Sequence, residues 1–200
     1  MTESQRFSSI LQDKLCGLLS LAPVQLGQLW AHYELLRAWN GRLNLTSVIE
    51  LDKAAVRHYA ESLFLASLLP PSALRIADVG SGAGFPGFPV AVALPGTEVF
   101  LIESDQRKAA FLREASDLSR NVRVRCLRAQ ALKNNLDVVV GRAVRPAEIL
   151  NTANRLADCF GILMSRKDAD LLAARYSAEV KPLPWDEESA ALIGLVPRGT

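Results

Sequence analysis

Cysteine is scarce and cannot be paired off in this sequence: Cys16, Cys126 and Cys159 form an odd set with no C-x-x-C spacing. A disulfide framework and a zinc site are therefore excluded, and a reducing cytoplasm is the expected compartment. No run of 18 apolar residues exists, and Glu3 and Arg6 interrupt the N-terminus where a signal-peptide core would be apolar. Neither a membrane span nor a secreted protein is expected. What is present is a chain of 200 residues, 50% of them hydrophobic. That suits one α/β domain with an extension, a substantial core and no disordered stretch.

The strongest local signal lies at residues 75 to 87, Arg75-Ile76-Ala77-Asp78-Val79-Gly80-Ser81-Gly82-Ala83-Gly84-Phe85-Pro86-Gly87. An apolar run from Leu74 to Val79 breaks into four glycines within eight residues, the last of them preceded by Pro86, a residue suited to a first helical turn. The pattern predicts strand, tight loop, helix, with room for a ligand against a backbone that has no Cβ. Gly82 to Gly87 formally fits the dinucleotide fingerprint G-x-G-x-x-G, which alone is a weak signal. Asp78, two residues before the first glycine, turns the pattern into D-x-G-x-G-x-G. A carboxylate there would repel a pyrophosphate but favours a cofactor carrying an ammonium and a sulfonium.

The net charge of +2 hides an asymmetry. Residues 1 to 70 carry six basic and six acidic side chains, whereas residues 101 to 145 carry ten basic against five acidic. Clustered arginine can hold phosphates, as in a nucleic-acid partner, although a solvated strand edge has the same composition.

Phe7, Ile10, Leu11, Leu15, Leu18 and Leu19 recur at helical spacing, as do Leu26, Leu29, Trp30, Tyr33 and Leu36 after Pro23. Val56, Ala60, Leu63, Phe64 and Ser67 form a third stripe that Pro70-Pro71 ends. The expected organisation is a helical cap over 1–70 and a second unit over 71–200. Within the cap, two stretches are polar where packing alone does not require it: Asn44 and Thr46 can serve as capping residues and His58 and Glu61, three residues apart, as a surface pair, and composition does not decide between these readings and a functional one.

Glu98 to Ile102 predicts a second strand ending at Glu103, placed to accept both hydroxyls of a ribose. Lys108 to Leu118 reads as a helix with Ala109, Leu112, Ala115 and Ser116 inside. Val122 to Leu127 reads as a strand with Cys126 inward and Arg123 and Arg125 outward. Asp137 to Val140 is the fourth strand and runs into Arg142, which falls on the rim where ligands bind in open α/β sheets. Helix-like Ala147–Leu156, strand-like Cys159–Met164, helix-like Ala169–Tyr176 and the strand-like runs 178–182 and 191–196 complete the pattern.

Five segments stand in order: W-N-x-x-x-N-L-T from Trp39, H-x-x-E-S from His58, D-V-G-S-G-A-G-F-P-G from Asp78, F-L-R-E from Phe111 and D-V-V-x-x-R-A from Asp137. Together they resemble the RsmG (GidB) family, bacterial 16S ribosomal RNA guanine-N7 methyltransferases, from about Trp30 to Lys167. The resemblance implies a class I S-adenosylmethionine methyltransferase fold, α/β and Rossmann-like, with a seven-stranded sheet that ends in an antiparallel hairpin. It implies S-adenosylmethionine as cofactor and, as substrate, one guanosine in the decoding region (530 loop) of 16S ribosomal RNA, in the small subunit or its assembly intermediate. A cytoplasmic monomer is expected.

On this basis the candidate cofactor contacts are Asp78, Gly80, Gly82, Gly84, Phe85, Glu103, Ala129, Gln130 and Arg142. The candidate RNA contacts are Arg42, Asn44, His58, Arg123, Arg125, Arg145, Arg166 and Lys167. Arg142, Asn44 and His58 are positioning candidates, with no catalytic base and no metal. Three positions depart from the family pattern: Gln130 where an acidic residue is usual, Gly141 where serine is usual and Asp168 where glycine is usual. Guanine N7 has an in-plane lone pair and loses no proton on methylation, and the sequence agrees in lacking both [DN]-P-P-[FYW] and a Pro-Cys nucleophile. Arg142→Ala is expected to weaken cofactor or RNA binding and to leave the fold intact. An inactive S-adenosylmethionine-binding regulator and a dinucleotide-dependent oxidoreductase are the alternatives.

Overall fold

A computed structural model describes residues 1–133 and 135–196. Seven strands form one sheet in the order β3-β2-β1-β4-β5-β7-β6. They are β1 (Arg75–Val79), β2 (Glu98–Ile102), β3 (Val122–Arg125), β4 (Val138–Arg142), β5 (Cys159–Ser165), β6 (Glu179–Leu183) and β7 (Asp186–Leu195). β1 to β5 are parallel, and β7 runs antiparallel between β5 and β6. The strand order reverses between β1 and β4, the point at which open α/β sheets bind ligands.

The central strands are apolar on both faces, as buried parallel strands must be. Ile76, Val99, Leu101, Val138 and Val140 face one core, while Ala77, Val79, Phe100, Ile102 and Val139 face the other. The second core lies under α7 (Pro146–Leu156) and α8 (Arg166–Tyr176). The first is shared with α5 (Gly87–Ala93), α6 (Gln106–Ser116) and the N-terminal helices.

Those helices are α1 (Glu3–Lys14), α2 (Pro23–Leu43), α3 (Leu51–Ala54) and α4 (Glu61–Leu68), the last two joined by a π-helical turn over Ala55–Ala60. α1 starts on a reciprocal cap between Thr2 and Gln5. Phe7 is fully buried against Trp30, Tyr33 and Tyr59, with ring centroids 4.9–5.6 Å apart. Truncating such a side chain costs about 3–5 kcal/mol, so Phe7 ties the first helix to the rest. α1 stops at Lys14, which leaves Leu18 outside the expected stripe and exposed. α4 packs on α5 and β5, so the helices and the sheet share one core across residue 70.

Several boundaries differ from the sequence reading. β3 ends at Arg125, and Cys126 lies beyond it and is exposed rather than inward. β7 begins at Asp186, where it pairs with the end of β6 (Leu183 opposite Asp186), and it reaches β5 from Ser189 onward (Ser189 opposite Ser165). Among the described residues no helix is long and apolar enough to cross a membrane.

Candidate functional site

The glycine loop leaves β1 and folds back on β2. Gly80 and Ser81 both donate to the Ile102 carbonyl, at 2.8 and 3.0 Å, and the Gly82 N–H donates to Glu103 Oε2 at 3.0 Å. Gly84 and Phe85 donate to the Ser81 carbonyl, and Phe88 to that of Gly84. Gly80, Gly82 and Gly84 take φ of +71°, +55° and +87°, the region that side chains avoid. At Gly80 a Cβ would also come within 2.5 Å of Val144 Cγ2.

Asp78 sits beneath this loop, fully buried. Its Oδ2 accepts the Gly87 N–H at 2.9 Å at the start of α5, and its Oδ1 has no hydrogen-bond partner. Burial pushes the carboxyl up to about 7, against the pull of the Gly87 N–H. The amino end of α5, where a dinucleotide fold seats its pyrophosphate, is thus already taken by a carboxyl group.

A cleft of about 300 Å³ opens above the loop, lined in part by Gly80, Gly82, Glu103, Ala129, Ala143 and Val144. Glu103 is buried at its wall and holds Gly82 through one oxygen and the Asp105 N–H, at 2.8 Å, through the other. Each carboxylate oxygen keeps a second lone pair for a hydroxyl. Four expected cofactor residues thus line one cleft: Gly80, Gly82, Glu103 and Ala129. Asp78, Gly84 and Phe85 instead support the loop from below, and Gln130 is exposed on a 3-10 turn beyond Ala129. Lys108 and Arg128 also reach the cleft wall, and neither was singled out from the sequence.

Arg142 lies apart from that wall. Its Nη2 is 3.1 Å from Glu61 Oε2, its Nη1 donates to the Arg57 carbonyl, and both side chains of the pair are largely buried. A second cleft of about 460 Å³ lies over this pair. Glu61 therefore pairs with Arg142 and not with His58, correcting the expected surface pair. Burial of a charge without a local partner in sequence is invisible to helical spacing.

His58 is likewise not an exposed RNA contact. It is buried, its ring stacks on Phe85 at 4.7 Å, and Nε2 donates to the Val48 carbonyl at 3.0 Å while lying 2.9 Å from Thr46 Oγ1. Burial and the Arg142 charge lower it to about 4, so it is neutral. It fastens the Thr46 segment to the glycine loop. The same loop is backed by His32, which no pattern in the sequence singles out. His32 is fully buried, stacks on Phe88 at 4.2 Å and takes Nδ1 to within 2.8 Å of the Tyr59 hydroxyl.

Asn44 is the left-handed C-cap of α2, with φ +46°, and its N–H donates to the Asn40 carbonyl. Asn40 closes the segment by bonding both the N–H and the carbonyl of Thr46, at 2.9 and 3.0 Å. Arg42, Arg125, Arg145, Arg166 and Lys167 are exposed. Arg123 pairs with Glu98 at 3.1 Å, at the amino end of β2 and so opposite the clefts, which removes it from any surface they share.

The departures have local causes. At Gly141 a Cβ would lie 2.5 Å from Ile149 Cδ1, so the space of a serine side chain is filled. Asp168 completes a cap on α8: its N–H donates to Ser165 Oγ at 3.2 Å, and Ser165 Oγ donates back to its carboxylate at 2.7 Å.

Comparison with known proteins agrees with this geometry. The family described as rRNA small subunit methyltransferase G matches residues 25–177. A relative named Ribosomal RNA small subunit methyltransferase G from Nitrosomonas europaea is 38% identical over 162 residues, 76% of this chain and 75% of that protein. One of the same name from Dichelobacter nodosus is 43% identical over 118 residues, 56% of each. A third, Ribosomal RNA small subunit methyltransferase G 2 from Syntrophobacter fumaroxidans, is 36% identical over 147 residues, 72% of this chain. The chain spans 56% of the Dichelobacter relative and 29% of the Syntrophobacter one.

Solved structures share the fold at low identity. A SAM dependent methyltransferase from Aquifex aeolicus aligns with TM-score 0.57 at 14% identity, over 73% of this chain and 94% of that one. Magnesium protoporphyrin IX methyltransferase from Synechocystis PCC 6803 aligns at 0.59 and 12%, over 83% of this chain and 100% of that one. The fold is that of the class I S-adenosylmethionine methyltransferases, and the chain belongs to the rRNA small subunit methyltransferase G (GidB) family.

Proposed function

We propose that this protein binds S-adenosylmethionine in the cleft above the glycine loop and methylates N7 of one guanosine in the 530 loop of 16S ribosomal RNA. The observation that carries the cofactor half is the closed loop. The N–H groups of Gly80, Ser81, Gly82, Gly84, Phe85 and Gly87 are all spent on protein acceptors, two of them on the carboxyl groups of Glu103 and Asp78. Such a loop offers nothing to a pyrophosphate and a favourable field to a cation. This disfavours the oxidoreductase alternative. The open space over Gly82, where a Cβ would meet only the Gly80 carbonyl at 3.8 Å, fits a ligand lying on the backbone.

In this reading Gly80, Gly82 and Ala129 give the cofactor its floor, and Glu103 accepts its ribose hydroxyls. When bound, S-adenosylmethionine supplies an electrophilic methyl group on a sulfonium. The chain's task is to hold guanine N7 in line with that methyl, and orientation of this kind can supply about 7–11 kcal/mol of barrier lowering. No side chain has to take a proton, because N7 attacks through a free lone pair.

N7 lies in the major groove, deep and narrow in A-form RNA, so the target is unpaired or splayed out. Exposed Arg42, Arg125, Arg145, Arg166 and Lys167 hold its phosphates, and helices 1–70 act as a cap on a catalytic unit over 71–200. The protein acts as a monomer on the small subunit or its precursor. Mapping N7-methylguanosine in ribosomal RNA from cells with and without the gene tests this, followed by restoration with purified protein and S-adenosylmethionine. Loss and restoration at one site are expected. Persistence of the mark without the gene would favour the inactive-regulator reading.

A further inference from the structure

The second cleft has a feature that the cofactor does not explain. Its floor is the Glu61–Arg142 pair, and Ala143, immediately after Arg142, belongs to the walls of both clefts. Ala143 holds φ at +55°, a conformation unfavourable for an L residue. Strain of this kind collects where surrounding structure imposes a geometry on a site. Glu61 is 4% exposed, and its Oε2 lies 3.1 Å from Arg142 Nη2 at the base of this cleft. A buried ion pair is costly relative to apolar packing, so its retention calls for a further use.

We propose that Glu61 and Arg142 form the subsite that reads the target guanine, Glu61 accepting from N1–H and the N2 amino group and Arg142 donating to O6. This rests on the methyltransferase reading above and deepens it. Guanine presents two adjacent donors, N1–H and N2–H, which a carboxylate oxygen pair can accept together. Adenine places a lone pair at N1 and a hydrogen at C2, and so meets the same carboxylate with repulsion. Charge-assisted pairs of this type discriminate strongly because the wrong base leaves a buried charge unmatched.

The placement of Arg142 also protects the nucleophile. A free arginine prefers to fork across O6 and N7 of guanine, which would occupy the very lone pair that reacts. Here Nη2 is held by Glu61 and Nη1 by the Arg57 carbonyl, so the guanidinium cannot swing into that fork. The Watson–Crick edge is anchored in one cleft while N7, on the other side of the purine, faces the cofactor cleft across Ala143.

Inosine tests this because it keeps N7, N1–H and O6 and lacks only the N2 amino group. Small subunits are reconstituted on ligated 16S RNA carrying guanosine or inosine at the target position, and kcat/KM is measured for wild type and Glu61→Gln. The expected wild-type preference for guanosine is tenfold or more. Glu61→Gln is expected to lose most of its rate on guanosine and to bring the two substrates within about threefold, since an amide cannot accept from both donors. Cofactor affinity and melting temperature report whether the variant has folded. Equal wild-type rates on the two substrates would overturn the proposal without any variant. Equal slowing of both substrates in Glu61→Gln, with the ratio kept, would make Glu61 a structural residue. If wild type methylates neither particle, the methyltransferase reading itself fails and this subsite falls with it.

Discussion

The two clefts at the carboxyl ends of the strands are built from different materials. The cleft above the glycine loop is made of backbone: three glycines at positive φ, loop N–H groups turned onto Ile102, Ser81 and Glu103, and one carboxyl group under the loop. The neighbouring cleft is made of side chains, an ion pair between a helix and a strand far apart in sequence. A backbone-built site is specified by a short local pattern and tolerates almost no added atoms. A side-chain-built site depends on the whole fold to bring its halves together, and is most sensitive to losing one half.

Breaking the side-chain cleft should cost the most. Arg142→Ala leaves Glu61 buried without its partner and is expected to cost about 3–5 kcal/mol of stability, a larger effect on the fold than the sequence alone suggests. Denaturant unfolding measures it, and a loss under 1 kcal/mol would mean that the pair is solvated in solution. Next comes the backbone cleft. Gly80→Ala adds a methyl against Val144, about 1–3 kcal/mol for overpacking, and forces a left-handed alanine, about 1–2 kcal/mol more. Calorimetric titration with S-adenosylmethionine should find binding abolished, and wild-type affinity would remove Gly80 from the cradle.

The two sites also differ in how pH acts near them. Asp78, under the loop, is held up at about 7 against an ordinary 3.8. Its contribution to stability is full below pH 3.8 and is lost as pH rises towards 7, so Asp78→Asn should gain on wild type over that window. His58, between the loop and the second cleft, is held down to about 4 from 6.5. Its contribution is full above pH 6.5 and is lost as pH falls towards 4, so His58→Gln should gain on wild type in the acid limb. Melting temperatures from pH 4 to 8 separate the two, and parallel curves for all three proteins would refute both assignments.

The smallest effect belongs far from either cleft. Arg123 and Glu98 are both partly exposed, and such pairs contribute about 0–1 kcal/mol. Arg123→Ala should leave stability and the salt dependence of RNA binding unchanged, whereas Arg125→Ala should reduce the slope of log affinity against log salt by about one phosphate contact. A lowered slope for Arg123→Ala would return it to the RNA surface.

The same distinction explains what could be read from the residues alone. The loop, Glu103 and the run of parallel strands were legible because each is a local pattern: glycines that need positive φ, a carboxylate at a strand end, apolar residues on both faces. The hairpin at the end of the sheet and the five-segment order came from family resemblance. Helical spacing offers Glu61 only His58, and it is the packing of α4 against β5, the neighbour of β4 in the sheet, that brings it Arg142. Cys126 was placed inward by alternation, which stopped one residue earlier when β3 ended at Arg125. His32 carried no signal, being one polar residue on an apolar stripe.

The π-helical turn over Ala55–Ala60 sets the phase between two rigid attachments. Within it His58 is fixed by Val48 and by the Phe85 ring, and downstream α4 is fixed by α5 and β5, with Glu61 aimed at Arg142. A helix turns by about 100° for each residue, and a wide turn absorbs one residue that a regular helix could not. Deleting Tyr59 or Ala60, the two residues between His58 and Glu61, would swing one attachment about a quarter-turn away from its partner while leaving net charge and helicity almost untouched. For this segment the number of residues is under tighter constraint than their identity, and a length change would separate the Glu61–Arg142 cleft from the loop beside it.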